Sequence, residues 1–362
     1  MMNDVPEGPL KRGWTTGACA AAGARAAFMA LLDGEFPDPV TISLPGGQSP
    51  SFPLARHKFD GHTAEVSIVK DAGDDPDVTH GALVVVRARL DRAGRGVSFK
   101  GGEGVGTVTR EGLVLEVGEP AINPGPRRMI EAEIEDVASV RGSSRDVEIE
   151  ISIPGGEELA QRTLNGRLGI VGGLSVLGTT GVVIPFSCSA WINSIHRSID
   201  VARAAGIQHA AASTGSTSER AVQLMFEMPE EALIDMGDFV GGTLKYLRRH
   251  PIPRLTIAGG FAKLSKLGAG LLDLHSRRGS VDLVWLIDEV AAAGGTGALI
   301  ERLSVAETAG QAHQIAQKSE FPIADLVARK ARETALEYVA SETTVDVIVF
   351  DRHGDLVGRS DA

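Results

Sequence analysis

The run Ile207-Gln208-His209-Ala210-Ala211-Ala212-Ser213-Thr214-Gly215-Ser216-Thr217-Ser218-Glu219 sets the fold of the second half of the chain. An apolar stretch over 207–212 reads as a strand and ends in a hydroxyl and glycine turn. Ser216, followed three residues later by Glu219, is a capping-box pattern that opens a helix. The same rhythm recurs around it. Arg254-Leu255-Thr256-Ile257-Ala258 reads as a strand, and Gly259-Gly260 leads into a helix through Lys266. Helices are expected near 189–205, 240–249 and 280–293, and Val345–Phe350 is a late strand before a turn at Gly354. Strands alternating with helices predict a Rossmann-like α/β domain with a mainly parallel sheet.

The first half has a different texture. Thr15 or Thr16 can cap a helix of small residues that starts at Ala18 and ends near Asp33-Gly34. Alternating or β-rich segments at 40–44, 64–69, 83–90, 114–117 and 147–153 read as strands. Many strands with one or two helices indicate an α+β domain. At roughly 150 residues per domain, 362 residues make about two. The expected division is an α+β domain with Gly-rich loops over 1–185 and an α/β domain over 186–362.

Composition narrows the function classes. Hydrophobic content of 43% and charged content of 23% are ordinary for a globular protein. A net charge of −11 argues against a general nucleic-acid binder, and 4% aromatics leave little for base stacking. Cys19 and Cys188 form no disulfide framework and no zinc spacing, so a cytoplasmic protein without a protein-bound metal is expected. No apolar run is long enough to span a bilayer. A homo-oligomer stays open.

Several constellations could carry chemistry. Gly166–Gly181 places an apolar run and glycines before a second apolar run, Val182-Val183-Ile184. Within it Gly172, Gly173, Ser175, Gly178, Thr179 and Thr180 could hold an anionic or nucleotide-like ligand, or simply connect strands. Gly215, Asp235 and Gly259 sit at strand ends, where α/β sheets bind ligands. An acid such as Asp235 can hold a ribose or cap a helix. Gly102-Glu103-Gly104-Val105-Gly106 approaches a dinucleotide fingerprint but lacks a following helix pattern.

Lys70-Asp71-Ala72-Gly73-Asp74-Asp75-Pro76-Asp77-Val78-Thr79-His80-Gly81 crowds four aspartates with a lysine and a histidine. It could bind a hard cation, form a solvated turn, or supply acid–base groups in Asp71 and His80, with one carboxyl raised by its neighbours. Cys19 in the first helical turn is either a dipole-assisted thiolate or plain core. Arg110, Arg127, Arg128, Arg277 and Arg278 lie near turns, and Lys263 and Lys266 share a helix face, a pattern suited to a polyanionic small molecule.

Arg12–Ala20, Lys70–Gly81, Gly102–Thr109, Ala121–Pro124 and Gly178–Gly181 together resemble the CbiD family, and the likeness covers most of the chain. The resemblance implies a C-methyltransferase using S-adenosylmethionine as co-substrate and cobalt-precorrin-5B, a tetrapyrrole, as acceptor. Methyl transfer to C-1 would give cobalt-precorrin-6A in cobalamin biosynthesis. For such a carboxylate-bearing acceptor, substrate contacts are expected at Thr15, Thr16, Lys70, Asp74, Asp75, Arg110, Arg127 and Arg128. Three positions depart from the family pattern, the first being the hydroxyl turn Ser213–Ser216. Ile184 stands before Pro185 in place of an acid, and Gly259-Gly260-Phe261 stands where a histidine is usual. A nicotinamide-dependent reductase and a non-catalytic tetrapyrrole carrier are the competing readings.

Overall fold

The structure is a computed structural model describing residues 8–275 and 279–360, so Arg277 and Arg278 lie outside the described residues. The chain divides into two compact units, Met1–Ser187 and Cys188–Ala362. Both mix helices with a five-stranded sheet that contains parallel pairing.

In the first unit the sheet order is Arg56–Phe59, Thr63–Val69, Leu83–Leu90, Val147–Ser152, Val97–Gly101. All neighbours are antiparallel except the last pair. Val147–Ser152 alternates buried and half-buried residues, as a strand with one covered face should. The cover is the helix Thr16–Asp33, whose alanines from Ala18 to Ala27 are fully buried. Small side chains let it lie close: a Cβ on Gly23 would stand 2.7 Å from Val86 Cγ2. Thr15 Oγ1 accepts the Ala18 N–H at the helix start, and Gly34 closes the end at φ 82°. A second helix, Pro124–Arg141, packs beside it. The Arg25 guanidinium joins the two through Glu133 at 2.6 Å and Asp136 at 2.7 Å.

That second helix corrects the sequence reading, which placed Arg127 and Arg128 near a turn. Proline suits the first helical position, and buried Met129, Ile130, Ile134 and Val137 repeat at helical spacing. Val114–Val117 is not a strand, and the segment at 40–44 shortens to Val40–Thr41. Cys19 is core, its thiol pushed up to about 12 by burial, which removes the thiolate reading.

The glycine-rich stretches also find a structural use. Gly104, Gly156 and Gly173 press backbone against backbone. A Cβ on Gly104 would stand 2.0 Å from Ile153 O, and one on Gly173 2.3 Å from Gly104 O. Hydrogen bonds from Gly106 N to Leu174 O and from Leu174 N to Gly104 O lock the contact. Gly102, Gly104, Gly106 and Gly173 therefore serve internal packing, whereas Gly172 is exposed at φ 82° with open space around it.

In the second unit the sheet order is Leu233–Asp235, His209–Ser213, Arg254–Gly260, Thr344–Phe350, Leu356–Arg359. The first four strands are parallel and the last is antiparallel. Chain order reverses between His209–Ser213 and Arg254–Gly260, which makes their carboxyl ends the topological switch point. The helix after the first of these strands is Ser216–Phe226. Its N-cap is Gly215, one residue before the expected cap at Ser216, and Glu219 lies in its first turn. The helices Ala309–Lys318 and Ile323–Leu336 escaped the sequence reading. No helix of the described residues is long and apolar enough to cross a membrane.

Gly104 has φ 71° and no room for a side chain, whereas Gly118 has φ 94° and open space. Gly104→Ala is expected to cost about 3 kcal/mol or more in urea unfolding, and Gly118→Ala only about 1 kcal/mol, the strain of the backbone alone.

Candidate functional site

Stretches far apart in sequence meet at the start of the alanine helix. Trp14 N donates to Asp71 O at 2.7 Å and Asp74 N to Lys11 O at 3.0 Å, so the segment Lys11–Trp14 is sewn to the aspartate loop. The strands Gly13–Trp14 and Val182–Val183 pair, Thr15 N donates to Gly181 O at 2.9 Å, and Gly17 N donates to Leu177 O at 3.0 Å. The loop Leu177–Gly181 thus satisfies amides at the helix start. The second helix begins against the same loop: a Cβ on Gly125 would stand 2.9 Å from Gly178 O, and Asn123 N donates to Val176 O at 3.0 Å.

Within this junction the aspartates have distinct partners. Lys70 is 2% exposed, and its ammonium sits 2.5 Å from Asp77 Oδ2. A buried ammonium needs such a partner, so Lys70 frames the loop and does not face substrate. Burial alone would raise the Asp77 carboxyl, but the Lys70 ammonium and Thr79 outweigh it and hold Asp77 below its ordinary value. Asp74 Oδ2 accepts the Lys11 N–H at 2.6 Å, and Asp75 Oδ1 accepts the Phe186 N–H at 2.8 Å. Asp71 takes the Lys11 ammonium at 2.6 Å on one oxygen and the Gly73 N–H at 2.8 Å on the other. The Lys11 bond foremost keeps its carboxyl low. The expectation that crowding raises one carboxyl is therefore overturned at Asp71 and Asp77, because each faces donors. Among the described residues no group of three His, Cys, Asp or Glu could hold a metal ion.

His80 has a fixed orientation. Its Nδ1 accepts the Ala72 N–H at 3.1 Å. A backbone amide can only donate, so Nδ1 carries no proton, and the neutral ring must carry its proton on Nε2. Its exposed side chain, 54% accessible, presents a donor. This tautomer cannot accept a proton at Nε2.

The other expected contacts separate. Thr15 is the helix cap and Thr16 is buried. Arg127 is engaged by Ile122 O at 2.8 Å, by Glu119, and by the Phe99 ring. Arg110 donates to Arg167 O at 3.2 Å and packs on Gly169. Arg128 is exposed one turn from the junction. Ser175 hydrogen-bonds Asn165, Thr180 turns back onto Val182, and Thr179 is exposed. Lys11 was missed by sequence reasoning. Only its place beside Arg12-Gly13-Trp14 hinted at it.

The second unit carries a cleft of about 780 Å³ at the carboxyl ends of His209–Ser213, Arg254–Gly260 and Thr344–Phe350. Gly215 lines it; Asp235 and Gly259 do not. Gly259 instead makes room for Thr214, whose Oγ1 would lie 2.7 Å from an added Cβ, and the Asp235 carbonyl accepts Trp191 Nε1 at 3.3 Å. Lys263 binds Thr214 O at 2.6 Å and lies 3.0 Å from Asp238, while buried Lys266 binds Leu274 O, so neither lysine is spare. His313 lines the cleft with its ring 4.8 Å from Phe261, and burial lowers its pKa.

The family model of CbiD matches residues 3–185, and that of the CbiD C-terminal domain matches 273–361. The chain belongs to the CbiD family. It is 60% identical to the cobalt-precorrin-5B C(1)-methyltransferase of Bradyrhizobium sp. (strain BTAi1 / ATCC BAA-1182), over 97% of this chain and 94% of that one. Identity to the enzyme of the same name from Halorhodospira halophila is 57%, with the same coverage. A crystal structure of the cobalamin biosynthesis protein CbiD from Archaeoglobus fulgidus is 26% identical, covering 75% of this chain and 84% of that one at a TM-score of 0.40.

Removing one partner of the Lys70–Asp77 pair leaves a buried charge. Asp77→Asn is expected to lose about 3–5 kcal/mol in urea unfolding. Because the folded pKa of Asp77 is depressed, its stabilisation is present above its ordinary value of 3.8 and is lost as pH falls through the lower folded value. Below pH about 4, therefore, the wild type should lose stability more steeply than Asp77→Asn.

Proposed function

We propose that the chain transfers a methyl group from S-adenosylmethionine to C-1 of cobalt-precorrin-5B, giving cobalt-precorrin-6A in cobalamin biosynthesis. The observation that carries this reading is the 60% identity across 97% of the chain to an enzyme of that name. We further propose that Met1–Ser187 is an α+β acceptor domain and Cys188–Ala362 a Rossmann-like donor domain, and that the protein is cytoplasmic and engages no nucleic acid.

The donor supplies an electrophilic methyl group when bound; the protein must place a ring carbon in line with it. Such positioning is worth several kcal/mol, on the order of the 7–11 kcal/mol available from orientation. The acceptor carries carboxylate arms. Arg128 and Arg12, both exposed, suit them through paired hydrogen bonds. Asp71, held low by Lys11, stays ionised and fixes the segment Lys11–Trp14. His80 donates from Nε2 to an acceptor oxygen or nitrogen. The ring proton therefore leaves to another base, and His80 acts by polarising and orienting.

Incubation with S-adenosylmethionine and cobalt-precorrin-5B should add one methyl group to the acceptor by mass spectrometry. No gain in mass, with the ring bound and S-adenosylhomocysteine unbound, would leave a carrier; consumption of NADPH would leave a reductase. Glutamine places an amide N–H near the position of Nε2, so His80→Gln should keep kcat within about tenfold. His80→Ala should lose about 10²-fold, the scale of one positioned donor. A role for His80 as base requires His80→Gln to be as impaired as His80→Ala.

A further inference from the structure

We infer that the cleft of the second unit is the methyl-donor site. It would take the donor's amino-acid carboxylate at Gly215 and Gly260 and its nucleoside along Gln314 and Gln317. This rests on the methyltransferase reading and adds where the donor sits and what recognises it.

Topology is the first support. The cleft lies at the switch point between His209–Ser213 and Arg254–Gly260, where diverging connections open a crevice beyond the strand ends. At about 780 Å³ it has the size of a small-molecule site. All of its lining residues belong to the second unit.

The glycines are the second support. The first unit's Gly104, Gly106 and Gly173 are required by neighbouring protein atoms. Gly215 and Gly260 are not. An added Cβ would meet nothing within 4 Å at either, and their φ values of 170° and −78° suit any residue. Each instead keeps its side of the cleft bare, so that a ligand can approach the main chain.

Chemical complementarity is the third. Gly215 and Gly260 are the N-caps of Ser216–Phe226 and Phe261–Gly268, and neither cap has a side-chain hydrogen bond. The starts of both helices border the cleft, and the positive end of a helix favours a carboxylate. The helix Ala309–Lys318 contributes Gln314 and Gln317, whose amides both donate and accept, as a purine edge requires. Phe261, Phe350 and Val357 supply apolar wall. Lys263, already neutralised by Asp238, adds no repulsion toward a sulfonium.

The test is calorimetric titration of the full-length protein with S-adenosylhomocysteine, comparing wild type with Gly215→Val and Gly260→Leu. Both side chains grow into the cleft without strain, and unchanged circular dichroism and melting would verify the fold. Each variant is expected to weaken binding by about tenfold or more, or 1.4 kcal/mol. Wild-type affinity in both variants would overturn the inference and leave the methyltransferase reading standing. Failure of the wild type to bind would overturn both. Binding of S-adenosylhomocysteine retained, but tetrapyrrole binding lost, in the variants would also overturn it, because the cleft would then serve the acceptor.

Discussion

The contact between Gly13 and Ala72 is the constraint on which the first unit depends. A single added carbon on Gly13 would stand 2.1 Å from Ala72 C, and Gly73 presses equally close to Lys11 O. Backbones this near can exchange hydrogen bonds directly, and they do, through Trp14 N to Asp71 O and Asp74 N to Lys11 O. The alanine helix follows immediately from this seam, so its start, its cap and the loop over it inherit their positions. The Lys70–Asp77 pair and the donor-facing carboxylates of Asp71, Asp74 and Asp75 then hold the aspartate loop in one shape.

This changes what the acidic loop is for. Four carboxylates within seven residues suggest a cation site or a perturbed acid. Each carboxylate instead answers a particular donor, and the charge is spent on architecture. What the loop offers outward is narrower: an imidazole N–H at His80, with exposed Arg12 nearby in sequence to the seam. Catalysis by a methyltransferase places few demands on acid–base groups and many on alignment, and a stiff frame built from main-chain bonds answers that demand.

Much of this was legible in the sequence. Alternating strands, the small-residue helix with its Thr15 cap and Gly34 stop, and the strand–turn–helix rhythm after residue 185 all follow from local chemistry. The helix Pro124–Arg141 was not read because Pro124, Gly125 and Pro126 look like turn formers, although proline also begins helices. The short strand at Val114–Val117 failed because apolar alternation without a pairing partner does not make a strand. Site residues were harder. Glycine-rich segments have the same spelling whether they face a ligand or another backbone. Only the distances around Gly104 and Gly173, against the open space at Gly215 and Gly260, distinguish the two uses. Likewise, the sequence contains Lys70, Asp77 and Lys11 but not which of them pair.

The seam between Lys11–Trp14 and the aspartate loop holds the first unit's junction in one shape, and amide hydrogen exchange reads that directly. In the full-length protein the Trp14, Gly17 and Asp74 amides, which donate to Asp71, Leu177 and Lys11, should exchange as slowly as those of the strand Leu83–Leu90. Exchange at the rate of the open turn around Gly61 would show that the frame opens freely and contradict the account.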